Sequence, residues 1–483
     1  MVLTAWQVPH ARRGRRAARR RAARTSRQVV RAHLAATVPA ESAADDLDEL
    51  PVSRWWGHLG RGAMWGPAGV KVPMHETSTA RVGVLTPFVA RCTGNITGPL
   101  IGVVADTGEP FRFDPWGAYQ AHLVTSPGMV VFGLQGYGKS MCVKTLAVRT
   151  ITWGRKVIVA SDPKGEWRAI AKACGGEVIR IGPGTGTWIN PLDEGVRPGG
   201  TSGSEWTRIV ADRRGKALRS IARVLDSPLG DEEQSVLDHV VTAMSTGALA
   251  PTITALVDRL REPPPELTAQ FEARVLRRLA LVYGRLASGP LSGMFEHPSN
   301  VRLDPGCPMT VLDTSVTSHS APEVRKLATI CRAAWIDATL RSQDGCFRLV
   351  VHEEGWSELD DPQQVEAMNE RLRMAGEWGC ANVLVFHEYT DIEQFGDAGS
   401  AHRNQVAALI SKSPIKVLYR QSVESMPAVR EALRLNDDED ALLPRLQQGV
   451  GLWRIGDHQR DLVHPLVTPV AYELFNTDRG REG

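Results

Sequence analysis

The sequence predicts an α/β fold, a mainly parallel sheet flanked by helices and interrupted by an all-helical insertion. Three observations carry this. Short apolar runs alternate with helix-period segments on both sides of the chain's middle, the pattern of a parallel sheet covered on both faces. One run, GMVVFGL (128–134), passes at once into a Gly-rich turn and a helix-like stretch. Residues 205–288 lose the strand pattern and read as helix.

Taken in order, β-like runs begin near residue 81 with RVGVL, LIGVVA and FRF. The run at 128–134 is a buried strand by its continuous apolar character, and SMCVKTLAVRTITW (140–153) is its helix. KVIVASD (156–162) and GEVIRIG (176–182) are the next strands. Then come the helical residues 205–288, with turns at Asp226-Ser227-Pro228 and Pro263–Pro265. Over 201–298 the charge is balanced, and no nucleic-acid stripe is visible there. The alternation resumes with MTVLDTS (309–315), a helix over 323–341, RLVVHEE (348–354), a helix within 361–378, ANVLVFHE (381–388) and IKVLYRQ (415–421). GVGLWRIGDHQRDLVHPLVTP (449–469) reads as a hairpin.

The chain has 483 residues and a formal net charge of only +3. That average hides a division. Residues 1–40 hold ten Arg and no acid, leaving 47 basic against 54 acidic residues in the remainder. The tail is poor in large apolar residues and reads as disordered. It could meet anionic lipid or nucleic acid, and a peripheral contact with the membrane surface is the favoured reading. The seven cysteines have no metal-ligand or C-x-x-C spacing, so a reducing compartment is expected. No apolar run is long enough for a transmembrane helix, and the expected location is cytoplasmic.

Gly133-Leu134-Gln135-Gly136-Tyr137-Gly138-Lys139-Ser140 fits G-x-x-x-x-G-K-[ST] between a strand and a helix. Such a turn lets backbone N–H groups face a phosphate chain, while Lys139 meets the β/γ oxygens and the Ser140 hydroxyl meets Mg²⁺. The phosphate-binding candidates are Gly133, Gln135, Gly136, Tyr137, Gly138, Lys139, Ser140 and Met141. The expected cofactors are ATP and Mg²⁺. Glu353-Glu354 close a later strand and supply a Mg²⁺ carboxylate (Glu353) and a general base (Glu354). Asp162-Pro163-Lys164-Gly165-Glu166 closes the strand that follows the P-loop helix, where charges collect at the ligand edge, so Asp162, Lys164 and Glu166 join the nucleotide set. His387 ends another strand at that edge and could report the γ-phosphate, whereas His352 reads as structural. Arg420, Arg371 and Arg373 are candidates for a finger reaching a neighbour's phosphates.

With these residues in hand, the chain resembles the cytoplasmic traffic ATPases of conjugative and type IV secretion systems, in the FtsK–HerA branch of RecA-like ATPases. The ordered set is FDPW (113–116), GLQGYGKS (133–140), SDPKGEW (161–167), INPLD (189–193), LVVHEEGW (349–356), VLVFHEYTD (383–391), VLYRQ (417–421) and GLWRIG (451–456). It covers about residues 80–475 and looks closest to short actinobacterial members. The resemblance implies a RecA-like P-loop NTPase domain with a helical insertion, and a homo-hexamer with nucleotide at subunit interfaces. It also implies partners among the conjugation channel components, with direct DNA contact left open. Glu353 stands where the family usually has Asp. The longer members' N-terminal domain has no counterpart here, so channel docking through it is not implied.

The expected division is an Arg-rich tail (1–40), an irregular arm (41–80), two parts of the ATPase domain (81–204 and 299–475) around the insertion (205–298), and a C-terminal tail (476–483). The function implied is an ATP-hydrolysing motor for conjugative transfer. The alternatives are a DNA-pumping coupling protein of the same superfamily, or a nucleotide-dependent assembly factor with little hydrolysis.

Overall fold

Among the described residues, eleven strands, numbered along the chain, form one sheet in the order β2-β1-β11-β10-β9-β3-β8-β7-β4-β6-β5. The computed structural model describes residues 96–476, apart from 289–290, 305, 341–344, 354, 356–358, 398, 458 and the side chains of 390, 393 and 394. All of these lie in one compact unit, Ala90–Gly483. The tail and arm expected over 1–80, the run at 81–85 and residues 477–483 fall outside the described residues.

The parallel part contains β3 (Met129–Phe132), β4 (Lys156–Asp162), β5 (Glu177–Arg180), β6 (Met309–Asp313), β7 (Arg348–His352), β8 (Cys380–Val385) and β9 (Ile415–Leu418). Beyond β9 the sheet turns antiparallel through β10 (Gly451–Ile455), β11 (Gln459–Pro465), β1 (Leu100–Val104) and β2 (Pro110–Arg112). The hairpin expected at 449–469 is β10–β11, and it extends the sheet instead of capping it.

Alternation along each parallel strand feeds two faces, since successive side chains point to opposite sides. Met129 and Val131 of β3 pack with Cys142, Val143 and Leu146 of helix α2 (Lys139–Thr152). Val130 and Phe132 pack into a separate apolar cluster with Val406, Leu409 and Ile410 on the opposite side. At the antiparallel end Trp453 sits edge-on to Phe111 and Phe113, with ring centroids at 5.1 and 5.0 Å.

Two motifs act as welds. Asp114 caps the short helix α1 (Pro115–Gln120) by accepting from Gly117 N at 3.1 Å, and it pairs with Arg155 at 2.5 Å. Asn190 accepts from Leu192 N (3.0 Å) and donates to Asp193 Oδ1 (3.0 Å) and to Pro251 O (2.7 Å). Arg214 donates to Leu192 O at 2.7 Å. The INPLD segment therefore ties the sheet to the helices that follow it.

After α3 (Arg168–Ala173), which precedes β5, those helices are α4 (Gly203–Val224), α5 (Asp231–Ser245), α6 (Ile253–Arg261), α7 (Pro265–Gln270) and α8 (Ala273–Ser288), all between β5 and β6. Within the helical residues 205–288, no turn is expected after Pro265, yet α7 and α8 are separated at Phe271-Glu272. The helix within 361–378 likewise breaks at Met374, into Pro362–Arg373 and Ala375–Trp378. Arg371 in the first of these is buried against Asp337 at 2.6 Å, so it cannot reach a neighbouring subunit as a finger. His352 is buried and lies 3.2 Å from Asn382 Oδ1, a structural placement.

Candidate nucleotide site

The phosphate loop leaves β3 and enters α2 through three left-handed glycines, Gly133 (φ +151°), Gly136 (φ +82°) and Gly138 (φ +101°). A Cβ at Gly133 would lie 2.4 Å from Tyr419 Cβ, so that position also requires glycine for space. Gly138 is the N-cap of α2 and contributes no side-chain acceptor. The first N–H groups of this 14-residue helix therefore remain free for an anion. Two neighbouring strand ends hold the loop. Gly133 N donates to His387 O and Leu134 N to Arg420 O, each at 2.8 Å.

Lys139 is buried, and its ammonium donates to Gly133 O and to Leu134 O, the latter at 2.9 Å. Burial pulls its pKa down to about 8, against the nearby charges of Glu353, Asp391 and Glu388. Lys164 is exposed, and its charge adds to the depression. Gln135 and Gly136 are exposed, while Tyr137, Gly138, Ser140 and Met141 are half-buried at the mouth of the loop.

Sheet order assembles the acidic side. β8 lies between β3 and β7, so the end of the strand carrying His387 separates the loop from the end carrying Glu353. Glu353 accepts from the Trp167 indole at 3.3 Å. Burial raises its pKa to about 7, and the Lys144 charge opposes that rise. Glu354 lies outside the described residues. Asp162 is buried and accepts from Glu166 N and Trp167 N, both at 2.9 Å, so its carboxylate closes the turn after β4. Burial pushes its pKa up as well. His387 is exposed at the loop. The Arg420 guanidinium lies over the Tyr137 ring, 5.3 Å from its centroid, which places it against the phosphate loop of its own chain.

Sequence reading missed three participants. Lys144 is buried on α2, pairs with Glu166 at 2.6 Å and donates to Phe475 O at 3.2 Å. A lysine amid the apolar run of α2 was the available signal. Gln448 Nε2 donates to Gly136 O at 2.7 Å, and Gly449 N donates to Tyr137 O at 3.1 Å. No local signal marked these two, because the contact spans more than 300 residues.

The donor set fits a Mg²⁺–nucleotide. It offers helix N–H groups, a lysine bonded among the described residues to carbonyls that phosphate oxygens can replace, a hydroxyl at Ser140 and a carboxylate at Glu353 on the same side of the sheet.

No family model and no curated protein matches the chain. Solved structures do. VirB4 of Thermoanaerobacter pseudethanolicus is similar at TM-score 0.63 and 20% identity, over 78% of this chain and 99% of that one. Plasmid coupling protein TrwB, in complex with the non-hydrolysable ATP analogue ADPNP, is similar at TM-score 0.50 and 13% identity, over 81% and 93%. At these identities the likeness defines the fold, and the chain has a RecA-like α/β fold, a mainly parallel sheet flanked by helices, similar to that of VirB4.

Proposed function

We propose that the chain is an ATP-hydrolysing motor that powers conjugative DNA or protein transfer through a type IV secretion-like apparatus. The observation that supports it most is the Gly-rich loop that delivers buried Lys139 to the start of α2, with Glu353 following a strand of the same parallel sheet, in a fold shared with VirB4. In this reading Lys139 leaves its two carbonyl acceptors for the β- and γ-phosphate oxygens. Ser140 and Glu353 would hold Mg²⁺, and Lys144 lies between Glu166 and Glu353 to offset their repulsion. Mg²⁺, when bound, would neutralise phosphate charge. Glu354 orients the attacking water, His387 meets the γ-phosphate, and Arg420 steadies Tyr137 beside it. Asp162 and Lys164 shape the edge of the site. The motor works as a homo-hexamer alongside channel components.

The test is Mg²⁺-dependent ATP turnover by the purified chain and by Glu354→Gln. The wild type is expected to hydrolyse ATP, and Glu354→Gln to bind it without turnover. Full turnover by Glu354→Gln refutes the assignment of the base. Absence of turnover in the wild type refutes the motor.

A further inference from the structure

At the end of β9 opposite the phosphate loop lies a cleft of about 410 Å³, within the ~300–1,000 Å³ range of small-molecule sites. Five cations line it: Lys412, Lys416, Arg434, Arg454 and Arg460. Asp457 is the one acid among its lining residues. Glu439 stands behind it, shared between Arg454 and Arg460 at 3.5 and 3.1 Å. Positive charge is therefore in excess.

The geometry is set in advance. Arg454 donates to Leu433 O at 2.8 Å, and Arg460 donates to Gly456 O at 3.1 Å. Lys416 donates to Ser411 O at 3.1 Å and to Ser413 O, so among the described residues its ammonium meets carbonyls and no carboxylate. Burial and the Arg454 and Arg460 charges pull its pKa down to about 8. Lys412 and Arg434 are exposed at the rim and have no ion-pair partner among the described residues.

Among the described residues no aromatic side chain lines the cleft. That disfavours single-stranded nucleic acid, whose bases stack on aromatic rings. The cleft's volume, about 410 Å³, is that of a small-molecule site and does not admit a duplex. What remains is a compact ligand whose negative charge is concentrated on several oxygens.

We propose that this cleft is a second anion site that takes a soluble polyphosphate, separate from the phosphate loop. Charge-assisted bonds from Lys412 and Arg434 close over a ligand whose other oxygens meet Lys416, Arg454 and Arg460. The inference does not depend on the chain being a motor.

The experiment is calorimetric titration of inorganic tripolyphosphate into the full chain carrying Lys139→Ala, which disables the phosphate loop. Saturable binding of one equivalent is expected. Adding Lys412→Ala or Arg434→Ala should weaken it roughly tenfold each, the usual loss for a charge-assisted bond. Arg277→Ala, an exposed change of equal charge on α8, should leave it unaltered. Absence of saturable binding overturns the proposal, as does equal weakening by Arg277→Ala. Capture on anionic vesicles without tripolyphosphate binding overturns it too.

Discussion

Lys139 and Lys416 make an instructive pair. Each is withdrawn from water, each donates to two backbone carbonyls, and each has a pKa pulled down to about 8. They flank the same strand, β3, whose partner β9 carries Lys416 near its start and leads to Arg420 beside the phosphate loop. The separation from Lys416 to Arg420 is four residues, about 13 Å of strand. The surroundings differ. Lys139 has acids nearby (Glu353, Asp391 and Glu388), as a Mg²⁺ site needs. Lys416 has two arginines, and Asp457 opposes them. The buried, carbonyl-bonded ammonium is thus common to both places, and the two proposals, an anion with its metal and an anion alone, rest on the charges around it.

The largest effect expected from breaking this pair falls on Lys139. Lys139→Ala should lower ATP turnover at least ~100-fold, the scale of losing one preorganised donor to developing charge. Tripolyphosphate binding at the far cleft should survive. A steady-state turnover assay and the calorimetric titration together check it. Loss of both from the single change would show that the two lysines do not serve separate sites.

Lys416 comes next, through pH. Its folded pKa is about 8 against 10.5 for the free side chain. Between these values the unfolded chain holds a proton that the folded chain has lost, so stability rises with pH across that window. Below pH 8 both states are charged and the full cost of burying the ammonium remains. Lys416→Met removes that cost. The variant should be more stable than the wild type below pH 8, by no more than about 3 kcal/mol, with the gap closing towards pH 10.5. Urea melts at pH 7 and pH 10 measure it. A gap that is constant with pH, or that widens as pH rises, would contradict the account.

The two lysines also differ in how legible they were. Lys139 sits in eight contiguous residues whose glycines, lysine and serine announce a phosphate loop. Its contacts are local, to carbonyls five and six residues away. The alternation of strands and helices was legible for the same reason, because period and turn chemistry are local. The antiparallel extension was not, because β1 reaches β11 only through pairing across the whole chain. The cleft was illegible as well, since its cations come from three separate segments around 412–416, 434 and 454–460. In sequence each is one more arginine or lysine on a surface. The INPLD motif was visible but mute. That Asn190 is a weld, bonded to Leu192, Asp193 and Pro251, follows only from knowing what lies against it.

A smaller effect belongs to Gln448, which braces the phosphate loop from the far side of the chain. Gln448→Ala removes one neutral amide bond to Gly136 O, worth about 1 kcal/mol. Nucleotide affinity should fall about fivefold, with little change in melting temperature, because the residue is exposed. A fluorescent-nucleotide titration reads the first quantity and thermal melting the second. A large loss of stability with unchanged affinity would make Gln448 a fold residue.

One further change has effects of two opposite signs at one position. Arg434 ends the helix Met426–Leu433 at φ +50° and ψ +57°, a left-handed conformation that disfavours any side chain with a Cβ. Glycine adopts it freely. Its extra unfolded-state entropy offsets part of that gain, so Arg434→Gly should stabilise the fold by less than about 1 kcal/mol. The same change removes a rim cation and should weaken tripolyphosphate binding. An arginine kept at a strained helix end is then explained by the ligand and not by the fold. If Arg434→Gly raises the melting temperature and leaves tripolyphosphate affinity untouched, the strain serves neither, and the likeness between Lys139 and Lys416 loses its functional half.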